Sequence, residues 1–433
     1  MGSAVRWADL MADLMADVMA DVMADLCEGR KKQQKTWWMA YALLLVLAPL
    51  LWTGSLSHSL LGQIGIAIIA CLSYNMLLGQ GGMISFGHAV YSGMGAFFAI
   101  HMLNGVSNGW AWPVSLLPLA GGLGSAVLAL LLGWVSTQQT GLSFAMMTLG
   151  IGELLGAFAL MFPQFFGGEA GMAGNRVAGN SLITLDSSIA LYYLVACHTF
   201  VCTALMYAFT RTPLGRMLVA VRDNPERVAF LGYNPHRVRY LTFVVAAFFA
   251  GVSGGLAALH FEMVTVDVLS THRSGTYLLF TFLGGSTFFF GPIIGAVLMV
   301  LAYTLLSEWT PAWLLYLGLS FVVMVIYAPG GVASLIMEKV WMRPSDIRRF
   351  AGRTLAMTAT ALVALTGAAA MIEMLYHLQQ SAGPQLRFLK IPLNARDVDC
   401  WLGAVLVMWT GLCLFALTRH HCQHDPEQMT SAP

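Results

Sequence analysis

Apolar residues arrive in this chain as long, nearly unbroken runs separated by short polar stretches, with no alternation of the kind a half-buried strand would show. The runs fall near residues 37–56, 60–79, 84–103, 113–136, 141–162, 188–210, 240–259, 274–287, 291–307 and 312–328, with two more near 355–376 and 400–418. A helix of about twenty apolar residues crosses a hydrocarbon core of about 30 Å. Lipid offers no partner to a backbone N–H or C=O, so such segments satisfy themselves as helices. The pattern predicts an all-α fold, a polytopic membrane helical bundle of about ten core helices with two extra C-terminal spans. Several of the later runs are short for a full crossing. The first run begins only after Lys35 and carries no small-residue cleavage site, so a cleaved signal peptide is not expected.

Composition agrees with that reading. Hydrophobic residues make up 58% of the chain and charged residues 10%, with a mean hydropathy of +0.71; a soluble domain carries about 25% charged residues. The net charge of +1 says nothing about partners, and no basic tract points to nucleic acid. The seven cysteines are scattered without a CxxC pair, as small hydrophobes rather than a disulfide framework.

Charge placement sets the orientation. Basic residues collect in "RKKQQK" before the first span, in Arg211–Arg239, and in Lys339–Arg353. An even number of spans separates each group from the next, so all three share one face, which the excess of Lys and Arg marks as cytoplasmic. Both termini are then cytoplasmic and Pro163–Asp186 lies outside. Arg387, Lys390 and Arg396 would also fall outside, which fits the rule less well. Three regions follow: a repetitive cytoplasmic segment over 1–36, a core domain over 37–336, and a C-terminal extension over 337–433. The first holds "MADLMADVMADVMADLC", with Asp at 9, 13, 17, 21 and 25. A four-residue repeat drifts around a helix and forms no steady face, so it reads either as a surface or lipid-contacting arm, or as a recently expanded tract, or as sequence upstream of a translation start at Met11, Met15, Met19 or Met23.

The run Arg211–Tyr240 places six arginines and two acids between apolar spans. Thr212 stands at an N-cap with Pro213 at the first helical position, and Leu214, Met217, Leu218 and Val221 form one apolar stripe. "NPERVAFLG" repeats the grammar: Asn224 caps, Pro225 opens, Glu226 sits in the first turn and Gly232 stops the helix. Two short amphipathic helices are expected here, suited to laying an apolar face into a groove on a soluble partner. A topology-setting loop needs the charge but not the caps.

Inside the spans, Glu153 is the sole formal charge between Lys35 and Glu169. A carboxylate at membrane depth is costly unless paired or protonated. It reads either as part of a substrate path, facing a substrate ammonium, or as a hydrogen-bonding group between helices that Gly150, Gly152 and Gly156 allow to pack closely. "GQGGMISFGH" breaks the apolar pattern with Gly79, Gly81, Gly82 and Gly87. Interrupted helices expose backbone dipoles suited to a zwitterion, and Ser85 and His88 belong to the same candidate path; a tight turn with a packed His88 is the alternative. "FGGEAGMAGN", with Gly167, Gly168 and Gly171, is either an external contact loop or simply a flexible one.

No GxxxxGK[ST] loop occurs and no nucleophile–base arrangement is legible, so no catalysis is expected on this chain. In "RHHCQHD", His420, His421, Cys422 and His424 fit no structural zinc spacing, and a solvated tail is expected, with no metal.

Six stretches carry a family resemblance. "PLGRMLVAVRDNPERVAFLGYNPHRVRYLTFVVAAFFAGVSGGLAAL" resembles the cytoplasmic loop and following helix of branched-chain amino acid ABC transporter permeases of the LivM type. "LSYNMLLGQGGMISFGHAVYSGMGAF", "GLSFAMMTLGIGELL", "FGGEAGMAG", "LGGSTFFFGPIIGA" and "YAPGGVASLI" resemble further segments of that family, in order, over roughly Leu60 to Ile336. The resemblance implies a bacterial inner-membrane importer subunit. It would pair with a second homologous permease, two cytoplasmic ATPases using ATP-Mg, and an external solute-binding protein. The ATPase-coupling region would comprise Thr212, Pro213, Gly215, Arg216, Arg222, Asn224, Pro225, Glu226, Arg227, Gly232, Tyr233, Asn234 and Pro235. The implied cargo is a branched-chain or other hydrophobic amino acid, with urea or short amides as the alternative within the group. An ion-coupled secondary transporter with Glu153 as a proton site is the alternative from another class. The chain departs from the family in its repetitive N-terminus and in continuing past Pro329–Gly331 with two further spans.

Overall fold

A computed structural model of the chain describes residues 38–52, 54–110, 112–177, 186–310, 312–327, 330–335, 360, 363–376, 378, 385–388, 391–394 and 397–424. The N-terminal repeat, "RKKQQK", Pro329 and Lys339–Arg353 lie outside the described residues, as do the side chains of His420, His421, Cys422 and His424.

The apolar runs fold as helices. α1 (Trp38–Leu51) leads to α2 (Ser55–Asn75), which continues as a π-helical segment, Met76–Gln80. α3 (His88–Ser107), α4 (Leu117–Ser136), α5 (Leu142–Met161), a one-turn α6 (Pro163–Phe166) and α7 (Ser188–Arg211) follow. Two short helices, α8 (Pro213–Asp223) and α9 (Pro225–Phe230), precede α10 (Pro235–Phe261). Then come α11 (Thr271–Gly284), α12 (Gly291–Leu301) with a π segment at Ala302–Leu306, α13 (Ser307–Trp309) and α14 (Trp313–Tyr327). A turn α15 (331–335), α16 (Val363–Tyr376) and α17 (Val398–His424) complete the order. Among the described residues five helical stretches are long and apolar enough to cross a membrane: Ser55–Gln80, Val114–Ser136, Leu142–Met161, Ser188–Arg211 and Pro235–Phe261. α11, at 14 residues, rises only about 21 Å at 1.5 Å per residue, the shortness its apolar run suggested.

α2 and α10 form the centre. α10 packs along α3 and α4, and α2 packs against α7, α10 and α12. α3, α4 and α10 cross at a point where a Cβ on Gly95 would strike the Gly251 backbone and one on Gly121 would strike both Gly95 and Gly251. Small residues at such a crossing let backbones approach where no hydrophobic effect drives helices together. Ser125 Oγ donates to Tyr91 O at 2.6 Å beside it. α1 is held to the bundle by Tyr192 Oη, which donates to Leu45 O at 2.6 Å.

The two ends of the bundle differ. At one end sit α8 and α9. At the other, β1 (Met172–Ala173) pairs antiparallel with β2 (Met263–Val264), Met172 opposite Val264. α10 runs between them. Beyond the core, α16 packs on α17 through Gly367 and Gly411 and reaches α14 by Tyr316 Oη, which donates to Glu373 Oε1 at 3.2 Å. β3 (Gln385–Phe388) and β4 (Ile391–Asn394) form a hairpin that places Arg387 opposite Pro392, an element that the hydropathy pattern does not announce.

Candidate functional site

The arginine-rich end is built by local capping. Thr212 Oγ1 accepts from Gly215 N at 3.2 Å, and Asn224 Oδ1 accepts from Arg227 N at 2.9 Å. Asn234 repeats the device on α10, accepting from His236 N at 3.0 Å and Arg237 N at 3.4 Å. Pro213, Pro225 and Pro235 each open a helix, where a missing N–H costs nothing. Gly232 sits at φ +85°, the left-handed conformation that a side chain disfavours, and ends the α9 turn. Of the apolar stripe, Leu218 and Val221 are buried, Leu214 and Met217 half-buried, and Val228 of α9 is buried beside them. Gly215 lies against the Phe209 backbone. Arg216, Glu226 and Arg227 are exposed. So are Phe230 at 90%, Leu231 at 66% and Tyr233 at 51%. The sequence reading missed Phe230 and Leu231; two large apolar residues beside a helix stop in a charged loop were the available signal.

The glycine run lies directly above this surface. α2 widens into its π segment, a form often found at functional sites. Gly81 N then donates to Leu77 O at 3.1 Å, Gly82 N to Leu78 O at 3.0 Å and Met83 N to Leu77 O at 2.9 Å. Arg222 of α8 reaches across and donates from Nη1 to Gly79 O at 2.5 Å, while its Nη2 pairs with Asp223 at 2.9 Å. Gly82 adopts φ +63°, and a Cβ there would meet Arg222 Cγ at 2.8 Å. The structure therefore joins two stretches that the sequence treats separately. Ser85 and His88 are buried behind the break. Tyr74 Oη donates to Ser85 O at 2.9 Å, and His88 Nε2 lies 2.9 Å from Ser73 Oγ. Asn75 Oδ1, Gln80 Oε1, Ser85 Oγ and His88 Nδ1 are buried without a hydrogen-bond partner among the described residues.

Glu153 faces outward from α5. Met146, Gly150, Glu153, Ala157 and Met161 fall on one helix face, and all five are exposed. Thr271, at the start of α11, donates its hydroxyl to Glu153 Oε1. Among the described residues nothing else lies over the face: a Cβ on Gly150 or Gly156 would meet no atom within 4 Å, and one on Gly152 only Thr271 and the Phe86–Gly87 backbone at 3.6 Å or more. Gly150 and Gly156 thus admit no other described helix, whereas Gly152 lies against the start of α11, whose Thr271 hydroxyl is the carboxylate's partner. An ionisable group turned towards lipid costs several kcal/mol, so this face is suited to a protein or water-filled surface.

The Gly167–Gly171 loop lies at the end of the bundle away from α8 and α9, beside the β1–β2 pair. Gly167, Gly168 and Gly171 take φ of +75°, +63° and +74°. Gly174 N donates to Glu262 O and Arg176 N to Glu262 Oε1, both at 2.9 Å, and the Arg176 and Glu262 side chains pair at 3.8 Å. Glu262 itself stands at φ +55°, capping α10. Among the described residues no three His, Cys, Asp or Glu side chains converge as a metal site.

Comparison with known proteins places these features in a lineage. Residues 57–328 match the family described as "Branched-chain amino acid transport system / permease component". The chain is 28% identical, over 347 residues, to the high-affinity branched-chain amino acid transport system permease protein LivM of Salmonella typhimurium, covering 74% of this chain and 80% of that one. It is 27% identical to LivM of Escherichia coli K12 over 73% of this chain and 79% of that one. It is also 26% identical to LivH of the same strain over 56% and 82%. No solved structure matches. With residues 57–328, well over half of its length, matched to that family, the chain belongs to the branched-chain amino acid transport permease family.

Proposed function

We propose that this chain is one of two membrane subunits of an ATP-driven importer for branched-chain and other hydrophobic amino acids. It works beside a second, similar permease, with two cytoplasmic ATPases that hydrolyse ATP-Mg and an external solute-binding protein. The chain itself carries no catalysis and resides in the inner membrane with both termini in the cytoplasm. The observation that carries the reading is the α8–α9 surface: two capped helices hold Phe230, Leu231 and Tyr233 outward, and Arg222 ties them to the glycine break. Exposed aromatic and aliphatic residues on a rigid support are what a docking partner would bury.

In this mechanism the ATPases seat on Thr212–Pro235. Their closure moves α8, and the Arg222–Gly79 bond passes the movement to the π segment of α2. That segment and the α3 start, with Ser85 and His88, line the path from one side. The α5 face bearing Glu153 meets the second permease, and the carboxylate faces the cargo's ammonium there. The Gly167–Gly171 loop receives the binding protein at the opposite end.

The test is co-purification from native membranes in mild detergent, comparing wild type with Phe230→Asp. Phe230 is 90% exposed, so the substitution leaves the chain's own packing intact. A P-loop ATPase accompanying wild type and lost from the variant is the expected result. Absence of any ATPase from wild type, under conditions that preserve the permease pair, would sink the importer reading.

A further inference from the structure

A cavity of about 260 Å³ opens among α2, α3, α10, α11 and α12, apart from both the glycine break and Glu153. Its α10 residues, Ser253, Ala257 and Phe261, come from the half remote from α8–α9. Arg273, on the first turn of α11, lines it. Among the described residues the ion pairs are Arg176–Glu262 and Arg222–Asp223, so no carboxylate neutralises Arg273. The guanidinium lies instead over the Tyr277 ring, 5.9 Å from its centroid. A cation held inside a membrane bundle without a counter-charge marks a place where an anion is received.

The rest of the wall divides by chemistry. Thr276 and Tyr303 hydroxyls meet at 2.9 Å, and those of Ser92 and Ser253 at 3.3 Å; all four line the cavity and offer acceptor oxygens. Gln63 and Thr304 add two more polar groups, while Ile66, Ala67, Ala70, Met299 and Val300 form an apolar wall. The volume lies below the roughly 300–1,000 Å³ of pockets for drug-sized ligands, and so suits a small metabolite. One permanent cation, hydroxyl acceptors and an aliphatic wall complement one class of molecule: a carboxylate and an ammonium on a short branched hydrocarbon.

We infer that this cavity is a binding site within the permease for an aliphatic α-amino acid, with Arg273 holding the carboxylate by a bidentate contact and the apolar wall receiving the side chain. The inference rests on the importer reading and adds to it a cargo station inside the bundle, in the half facing away from the ATPase surface. Selection would then be exerted by this chain as well as by an external binding protein.

Equilibrium binding of radiolabelled L-leucine to the full chain in lipid nanodiscs tests it. Isovalerate, which keeps the carboxylate and branched chain, should displace leucine, and leucinamide, which lacks the carboxylate, should do so at least tenfold less well. Arg273→Gln should weaken binding at least tenfold, and Arg273→Lys less. Ala70→Phe, which fills the apolar wall without touching charge, should block binding as well. Lack of saturable binding by wild type, equal displacement by leucinamide, or wild-type affinity in Arg273→Gln overturns the site. Should Arg273→Gln fail to fold, the ligand comparison on wild type and the Ala70 variant still decide. Leucine uptake by the assembled importer separates the two levels. Uptake that survives Arg273→Gln removes this site alone, whereas wild type that imports no leucine with ATP removes the importer reading.

Discussion

Arg222 stands where two stretches meet, 143 residues apart in sequence, and its bond to Gly79 O is made to a carbonyl left in a π segment. A hydrogen bond from a charged donor contributes about 1.5–3 kcal/mol when buried. The Arg222 side chain is 40% exposed, so solvent screening lowers that to about 1 kcal/mol. Arg222→Ala is therefore expected to leave the chain folded and assembled. In the proposed importer, amino acid imported per ATP hydrolysed in proteoliposomes should fall severalfold, because the link from α8 to the π segment is cut. Unchanged stoichiometry would disconnect the arginine surface from the glycine break. The caps around Arg222 could be read in advance because Thr-Pro and Asn-Pro act on donors two or three residues away. The bond itself could not, since no spacing in the chain encodes a partner 143 residues distant.

The same limit appears at the level of the helix. α5 is apolar almost all round, so its hydropathy says that it spans but not which side meets protein. Only packing reveals that Gly150, Glu153 and Ala157 are exposed and, but for the Thr271 hydroxyl on Glu153, face away from the other described residues. The π segment of α2 is hidden for a related reason: an apolar run looks alike whether the backbone bonds to i−4 or i−5. If the α5 face seats the second permease, a large side chain at Gly150 should block the pair. Gly150→Trp is expected to lose most of the co-purifying permease. Leu131→Trp, on the outward side of α4, should retain it. Equal retention by both would move the interface elsewhere. The helix positions, by contrast, were legible from apolar runs alone, and the short later helices with them; α3 starts only at His88 because Gly81–Gly87 stays outside the helix.

At the scale of the whole molecule, the bundle buries several polar side chains and turns many large apolar ones outward. α3 buries His88 and Ser92, while α4, α5 and α7 turn leucines, valines and methionines outward. Through this runs α10, 27 residues long and about 40 Å at 1.5 Å per residue. Asn234 caps it beside the arginine helices, and at its other end Glu262 is tied to Arg176, Gly174 and, through β2, the outer glycine loop. A rod fastened at both ends reports in both directions. In the proposed importer, whatever rests on the Gly167–Gly171 loop and prefers one tilt of α10 would favour that tilt at the α8–α9 surface by the same free energy that the ATPases would exert on the loop. If the chain works in that importer, adding a loaded binding protein should change nucleotide affinity of the assembled complex by a measurable factor. Arg176→Gln, which loosens one fastening, should shrink that factor towards one. The ATPases would in effect weigh the supply of cargo outside before hydrolysing nucleotide, with forty ångströms of helix as the balance arm.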